Sequence, residues 1–462
     1  MKLVIIGNGF DLGCGLPTSY IDFFEYLIEE ESEKFNKIED FLNKKKFKSC
    51  SEEAYLENKK QKTFMYTGSL GKNPRILAEE KFHETLKSDI RFVKDEFVSF
   101  ANQLFELNMN FWELFFWRLS KIQVKQHENW FEIENQIKDL LLILETNGKE
   151  DYGFIFQDVS KLLKIDRLNY DDDSDFENIL SKTNYESKID ALLKSYLDVI
   201  IKHHENDKYF ALLIELQKFE TQFRSYIELL MSTYVSGNRS NLLIYRNNFL
   251  ELIPSESKDI EFSVLNFNYS SFSDAENMTD SKLTLEFQRK KQTLRIYETN
   301  VHGNYKRTTI FGIDQNKVET NSNAYQFTKT FRKMNEQEKL LSHSLPNQSE
   351  INEIIFFGHS LSEADYSYFQ SIFDYYDIYH SEVKLSFLYS EYGYESGYVG
   401  IRRRQIKNVT NLIRVYGDTM DNQNHGRNLV HKLLLENRLS YRIVKLKEIK
   451  LVEIGKQKRS DL

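Results

Sequence analysis

The sequence predicts an α/β protein, a doubly wound parallel sheet interrupted by a large helical insertion, on three observations. An apolar, β-branched run over residues 2–6 stops abruptly at Gly7-Asn8-Gly9, as a strand buried on both faces of a parallel sheet does before its helix. Short apolar runs of the same kind return only after residue 260. Between them, apolar residues recur at helical spacing over some two hundred residues.

Taken in order, the turn at Gly7-Asn8-Gly9 and a helix beginning near Ser19 aim backbone N–H groups and a helix dipole at one point, which suits a phosphate. The match to GxGxxG is imperfect, because three residues separate Gly9 from Gly13. A βα turn that needs only positive φ is the plain alternative. Ile21, Phe24, Leu27 and Ile28 then form the stripe of a helix that packs back on the sheet, with Thr18 or Ser19 as its cap.

The insertion follows, and its aromatics Phe111, Trp112, Phe115, Phe116 and Trp117 read as core. Residues 130–134 place carboxylates on a helix, either near the nucleotide site or on an exposed acidic face. The acidic stretch 170–175 lacks the glycine and distal glutamate of a calcium loop and reads as solvated. His203 and His204 have no partners at ligand spacing, so no metal site is expected.

Strand signals resume at EFSVLN (261–266), TLRIYETNVHG, RTTIFGID, INEIIFFG, EVKLSFLYS and NLIRVYG. Ligands of such sheets sit outside the carboxyl ends of the strands, so the residues ending these runs become the site candidates. The tail pairs a helix near 427–436 with an apolar alternation whose strand or helix identity stays open. The predicted organisation is a discontinuous nucleotide-binding domain (1–32 and 259–420), a helical insertion (33–258) and a C-terminal extension (421–462).

Composition bounds the function. The 462 residues carry 62 Lys and Arg against 70 Asp and Glu, a net charge of -8, so the whole-chain field disfavours polyanions and any nucleic-acid contact must be a local patch. Two cysteines, Cys14 and Cys50, exclude a four-cysteine zinc site and suit a reducing cytoplasm. Neither a signal-peptide pattern nor an apolar stretch near eighteen residues is present, which predicts a protein that is neither secreted nor membrane-spanning.

Four strand-end clusters remain: 7–19, 266–270, His302-Gly303, and Gly358-His359-Ser360-Leu361 with Asp365. The blocks IIGNGFDLGCGLPTSY, LNFNYS, VHG, FGID and FFGHSLSEADYSYF resemble the signature blocks of the AbiH family of bacterial phage abortive-infection proteins. More remotely, the chain resembles the Rossmann-like, sirtuin-like NAD-binding fold, in which a Gly-Ile-Pro element follows the glycine turn. Gly15-Leu16-Pro17 stands at that spacing here.

That resemblance implies NAD or a related nucleotide as substrate or ligand, with Asn268 and His302 catalytic. It also implies nucleotide contacts from Gly7, Asn8, Gly9, Phe10, Asp11, Pro17, Thr18, Gly358, His359, Ser360 and Asp365. Ser270 and Tyr20 depart from the sirtuin pattern, and the structural-zinc cysteines are absent, so the likeness points to simple NAD cleavage rather than deacylation. A phage-derived trigger and homo-oligomerisation are expected partners of such a protein.

The chemistry fits the residue types. Cleaving the nicotinamide–ribose bond passes through an oxocarbenium-like state and needs a deprotonated nucleophile at the anomeric carbon. An imidazole such as His302 can take that proton while a carboxamide such as Asn268 orients water or ribose. Plainer readings stand beside this: His302 as a turn histidine, Asp365 as a helix cap, and Cys14 as a small loop residue without a base. Two other functions compete, a nucleotide-sensing module that grips a partner, and a nucleic-acid effector using Arg402-Arg403-Arg404 with Lys407. Three adjacent arginines point around a helix rather than along one face, which favours a solvated surface.

Overall fold

A computed structural model describes residues 1–43, 95–122, 132–146, 185–205, 207–253, 261–272, 283–289, 292–335, 345–361, 365–390 and 397–451. The stretch 170–175, Cys50, Ser362 and Glu391 lie outside the described residues. Among those described, the helices are α1 (Gly9–Gly13), α2 (Tyr20–Glu30), α3 (Ser32–Asn43), α4 (95–106), α5 (Phe111–Ile122), α6 (Glu132–Thr146), α7 (Tyr185–His203) and α8 (Lys208–Leu230). After α8 and a π-helical turn (Met231–Ser236) come α9 (Arg239–Leu252), α10 (Lys329–Asn335), α11 (Tyr366–Tyr375), α12 (Gly397–Asp418) and α13 (Gln423–Leu435). The strands are β1 (Lys2–Ile6), β2 (Glu261–Asn266), β3 (Leu283–Arg289), β4 (Gln292–Asn300), β5 (Glu353–Phe357), β6 (Lys384–Tyr389) and β7 (Leu439–Ile443).

The chain forms two compact units, one of Met1–Glu25, Asn129–Asp139 and Glu220–Leu462, the other of Tyr26–Glu128 and Leu140–Phe219. The first holds a seven-stranded sheet in the order β3-β4-β2-β1-β5-β6-β7. Six strands are parallel, and β3 joins β4 antiparallel at one edge. Counted in chain order, the parallel strands lie 3-2-1-4-5-6, so the order reverses between β1 and β5. Residues 2–6 are therefore central strand, buried throughout, and their uniform apolar character follows from helices on both faces.

Alternate residues serve the two faces. Leu3, Ile5, Ile354, Phe356, Leu385 and Phe387 pack with Phe369, Phe373, Val409 and Ile413 of α11 and α12, and Phe356 stacks on Phe387 at 4.6 Å. On the other face Phe357 meets Phe10 at 6.2 Å, and Phe10 meets Tyr245 of α9 at 5.2 Å. Each large aromatic buried here contributes about 1.5–3 kcal/mol of transfer free energy.

The second unit is helical in its described residues. Phe41 stacks on Phe100 at 4.0 Å, and Phe111, Trp112, Phe115, Phe116 and Trp117 are all buried. The Asn110 side chain caps α5 by accepting from Trp112 N–H at 2.8 Å, and the Glu215 carboxylate accepts from Phe111 N–H at 2.9 Å.

Two strand expectations change, and two further strands appear. NLIRVYG lies in α12, because Val409, Leu412, Ile413 and Tyr416 face the core at helical spacing. RTTIFGID supplies only isolated bridges, Gly303 with Thr309 and Ile313 with Thr328, because Gly303 at φ +83° folds the chain back on itself. A Cβ on Gly303 would stand 1.7 Å from the Thr308 carbonyl oxygen. The tail alternation begins as strand β7, and β3 forms from an LTLEFQR run outside the strand signals named above.

Candidate functional site

At the carboxyl end of β1, Gly7 N–H donates to Phe357 O at 3.0 Å and Gly9 N–H to Gly358 O at 2.7 Å. Phe10 N–H turns back to Gly7 O at 2.8 Å. The loops after β1 and β5 are thus interlocked backbone to backbone, and Gly358 adopts φ +68° to allow it. A Cβ on Gly9 would lie 2.7 Å from Gly358 Cα, so the space beside Gly9 on that side is filled by protein.

The rest of the opening loop splits between packing and a small recess. Asn8 accepts from the Thr18 hydroxyl at 2.7 Å and donates to Thr18 O at 3.2 Å. Phe10 is core, and Pro17 O accepts from Tyr226 OH at 2.5 Å. Asn8, Asp11, Thr18 and Tyr20 line the recess together with Phe267, Asn268, Tyr269 and Ser270 from the loop after β2. Its free space is on the order of one water molecule.

That second loop is shaped by two amides and a carboxylate. Asn266 accepts from Asn268 N–H at 2.9 Å and donates to Ser270 O at 3.0 Å, while Asn300 donates to Asn268 O at 3.1 Å. Buried Glu298 accepts from Asn266 at 2.6 Å, the Ser271 hydroxyl at 2.9 Å and Phe272 N–H at 3.1 Å. The backbone of Asn268 is therefore fixed, yet its side-chain Nδ2 and Oδ1 are buried with no hydrogen-bond partner among the described residues. Such atoms are costly unless something accepts and donates to them.

Burial raises two carboxylates, Asp11 in the recess and Glu298 under the loop. Desolvation pushes Glu298 up to about 7 against its hydrogen bonds, and Asp11 up to about 6 despite hydrogen bonds from Ser270 and Tyr245. Tyr245 OH donates to Asp11 at 2.7 Å. Cys14 is buried and its thiol is raised by desolvation, with Asn248 Nδ2 against its sulfur at 3.1 Å. It is expected to resist alkylation in the native protein at pH 8 and to react once the chain is unfolded; iodoacetamide labelling read by mass spectrometry checks this.

A second cluster centres on Asp365, just before α11. Its Oδ1 takes His302 Nε2 at 2.9 Å and Lys329 Nζ at 2.9 Å, and its Oδ2 faces His359 Nε2 at 3.3 Å. Lys329 also pairs with Glu134 Oε2 at 2.9 Å. The His359 Nδ1 accepts from Leu361 N–H at 3.0 Å, while Ser360 O accepts from Asn408 at 3.2 Å. Phe267 joins recess and cluster, lining the one and holding its ring 5.3 Å from His302 and 4.9 Å from His359.

The electrostatics follow from a single cation between two carboxylates. Burial raises Asp365, but Lys329 and His302 outweigh it and hold the group well below the usual carboxylate range. Glu134, with fewer donors, is raised by burial, while its lysine and a Gly312 backbone hydrogen bond oppose the shift. Lys329 is raised, since Asp365 and Glu134 overcome its desolvation. Burial and the Lys329 charge lower His302 to about 3, so its ring is neutral at neutral pH. Its Nδ1 is buried without a hydrogen-bond partner among the described residues.

Of the sequence's candidates, His302, His359 and Asp365 meet in this cluster and Asn268 lines the recess, whereas Lys329, in an unremarkable KTFRKMN run, is not among those candidates. One turn along the same helix, Arg332 makes a bidentate pair with buried Glu220, one arm at 2.7 Å. Of the acidic segment 130–134, Glu134 reaches this cluster. Arg402, Arg403, Arg404 and Lys407 lie exposed on α12. No group of three or more His, Cys, Asp or Glu among the described residues is arranged to hold a metal ion, and no helix there is long and apolar enough to cross a membrane.

No curated protein and no solved structure matches the chain. One family profile does, that of bacteriophage abortive infection AbiH, over residues 3–389. This span runs from β1 to the end of β6 and takes in the glycine loop, Asn268, His302 and Asp365. The chain belongs to the AbiH family, and the role that this implies is in phage abortive infection.

Proposed function

We propose that the protein acts in abortive infection by cleaving the glycosidic bond of NAD or a related nucleotide. The observation that carries this reading is Asn268, a buried carboxamide whose donor and acceptor have no partner among the described residues, on the loop after β2. His302, backed by a buried carboxylate, follows the neighbouring strand β4. The strand order and the carboxyl-end location are those of nucleotide sites in open α/β sheets.

In the proposed reaction, water attacks the anomeric carbon of the nicotinamide ribose and gives its proton to His302. Nicotinamide leaves with the bonding pair, which neutralises its ring charge. Asn268 orients the water or a ribose hydroxyl. General-base help of this kind is worth on the order of 10²–10⁴-fold. The carboxamide and imidazole suit a ribose or water, whereas the N–H groups of Gly7 and Gly9 are taken by the β5 loop and offer a pyrophosphate nothing.

Mass spectrometry of NAD in infected bacteria carrying the intact protein or its His302→Ala form tests the reading. Loss of NAD only with the intact protein is the expected result; steady NAD in both, with protection intact, overturns it. The burial of His302 beside Lys329, which lowers its imidazole to about 3 and leaves it a weak base, favours a second reading, a nucleotide sensor without chemistry. It requires protection to survive His302→Ala while calorimetry still detects nucleotide binding.

A further inference from the structure

We infer that Asp365 is a positioning residue rather than a nucleotide contact, and that it fixes His302 with its hydrogen on Nε2 and its lone pair on Nδ1. The carboxylate has no spare role for a ribose. Oδ1 already faces two donors at 2.9 Å, His302 Nε2 and Lys329 Nζ. Oδ2 faces His359, whose tautomer is set independently: Leu361 N–H donates to its Nδ1 at 3.0 Å, leaving the hydrogen on Nε2 to point at Asp365. One buried anion thus accepts from three side chains drawn from different parts of the fold.

The consequence for His302 is chemical. A neutral imidazole carries one hydrogen, and an ionised carboxylate beside Nε2 accepts it, so Nδ1 is the basic nitrogen. Nδ1 is buried without a hydrogen-bond partner among the described residues. Phe267 and Tyr368 flank the ring edge to face at 5.3 Å each, which holds its plane. Lys329 has a separate part: its ammonium keeps Asp365 ionised inside the protein, so the acceptor does not take a proton and lose its hold on Nε2. Glu134 balances the lysine from the other side.

The use of Nδ1 as the base rests on the nucleotide-cleavage reading, whereas the tautomer does not, and the experiment separates them. Histidine labelled with ¹⁵N is incorporated into the full chain, and the His302 resonances are assigned among its 10 histidines by comparison with His302→Gln. The expected spectrum at pH 7 gives a protonated Nε2 and an unprotonated Nδ1. A protonated Nδ1, or an imidazolium, overturns the inference whatever happens to NAD. The expected spectrum with steady NAD leaves the tautomer standing and removes the cleavage reading.

Asp365→Asn supplies the functional arm. Its amide is able to donate to Nε2 and so move the hydrogen to Nδ1, the change that costs about 10⁴-fold in hydrolases with a buried Asp–His pair. The expected result is a folded variant with the altered tautomer and NAD cleavage reduced by roughly 10²–10⁴-fold. A folded variant with the altered tautomer and undiminished cleavage overturns the positioning role. If the variant does not fold, the wild-type spectrum still decides the tautomer.

Discussion

Lys329→Met destabilises the sheet-bearing unit by about 3–5 kcal/mol, the usual cost of removing one partner from a buried ion pair. The lysine is nearly inaccessible and stands 2.9 Å from both Asp365 and Glu134. Without it, two carboxylates share the site with His302, His359 and one backbone donor. The melting midpoint is expected to fall by roughly 6–20 °C. The deficit depends on pH with a definite sign. Losing the lysine charge raises both carboxyls above their wild-type values, so the variant's native state binds protons that the wild type's does not. The deficit is then smallest at low pH and grows as pH rises. Melting curves at pH 5 and pH 8 should show the larger deficit at pH 8, and an equal deficit at both would mean that Lys329 packs rather than neutralises.

Gly358→Ala is expected to cost upwards of about 4 kcal/mol, in the range reserved for substitutions that force backbone apart. The residue sits at φ +68°, and its Cβ would lie 2.4 Å from Phe10 N and 2.7 Å from Gly9 C. Left-handed backbone alone accounts for about 1–2 kcal/mol; the contact with an unyielding loop supplies the remainder. Gly9→Val meets the same obstacle from the other side, so it weakens the fold as well as any ligand contact. Soluble yield and melting temperature measured beside calorimetry separate the two effects. A Gly358→Ala protein that melts like the wild type would require the loops to stand apart in solution.

The legible part of the fold was the part written in uninterrupted apolar runs. Residues 2–6, 261–266 and the runs entering β5 and β6 announce central parallel strands because both faces are covered. Short amphipathic pieces were not legible: the same apolar content in NLIRVYG serves α12, where neighbours three and four residues apart decide the matter. RTTIFGID fails as a strand through a left-handed turn at Gly303 that residue type alone does not reveal. At the site, His302 and Asp365 stood out by residue type at strand ends. Their connection did not, because Glu134, Lys329 and Asp365 are brought together by the fold and by no spacing in the chain.

The sheet order also governs how the molecule is made. Lys2 pairs with Phe262 on one side and with Glu353 on the other, so the central strand has no hydrogen-bonded neighbour until some 260 residues have followed the first. At ribosomal speeds of about 5–20 residues per second, that delay is on the order of tens of seconds. During it, the helices of the intervening segment, built on local contacts, are free to form first. A nascent chain stopped short of residue 353 lacks β5, Gly358 and Asp365 together. No product stopped short of residue 365 carries all the residues of the candidate site, so the candidate chemistry waits on the synthesis of β5 and of the segment that leads into α11.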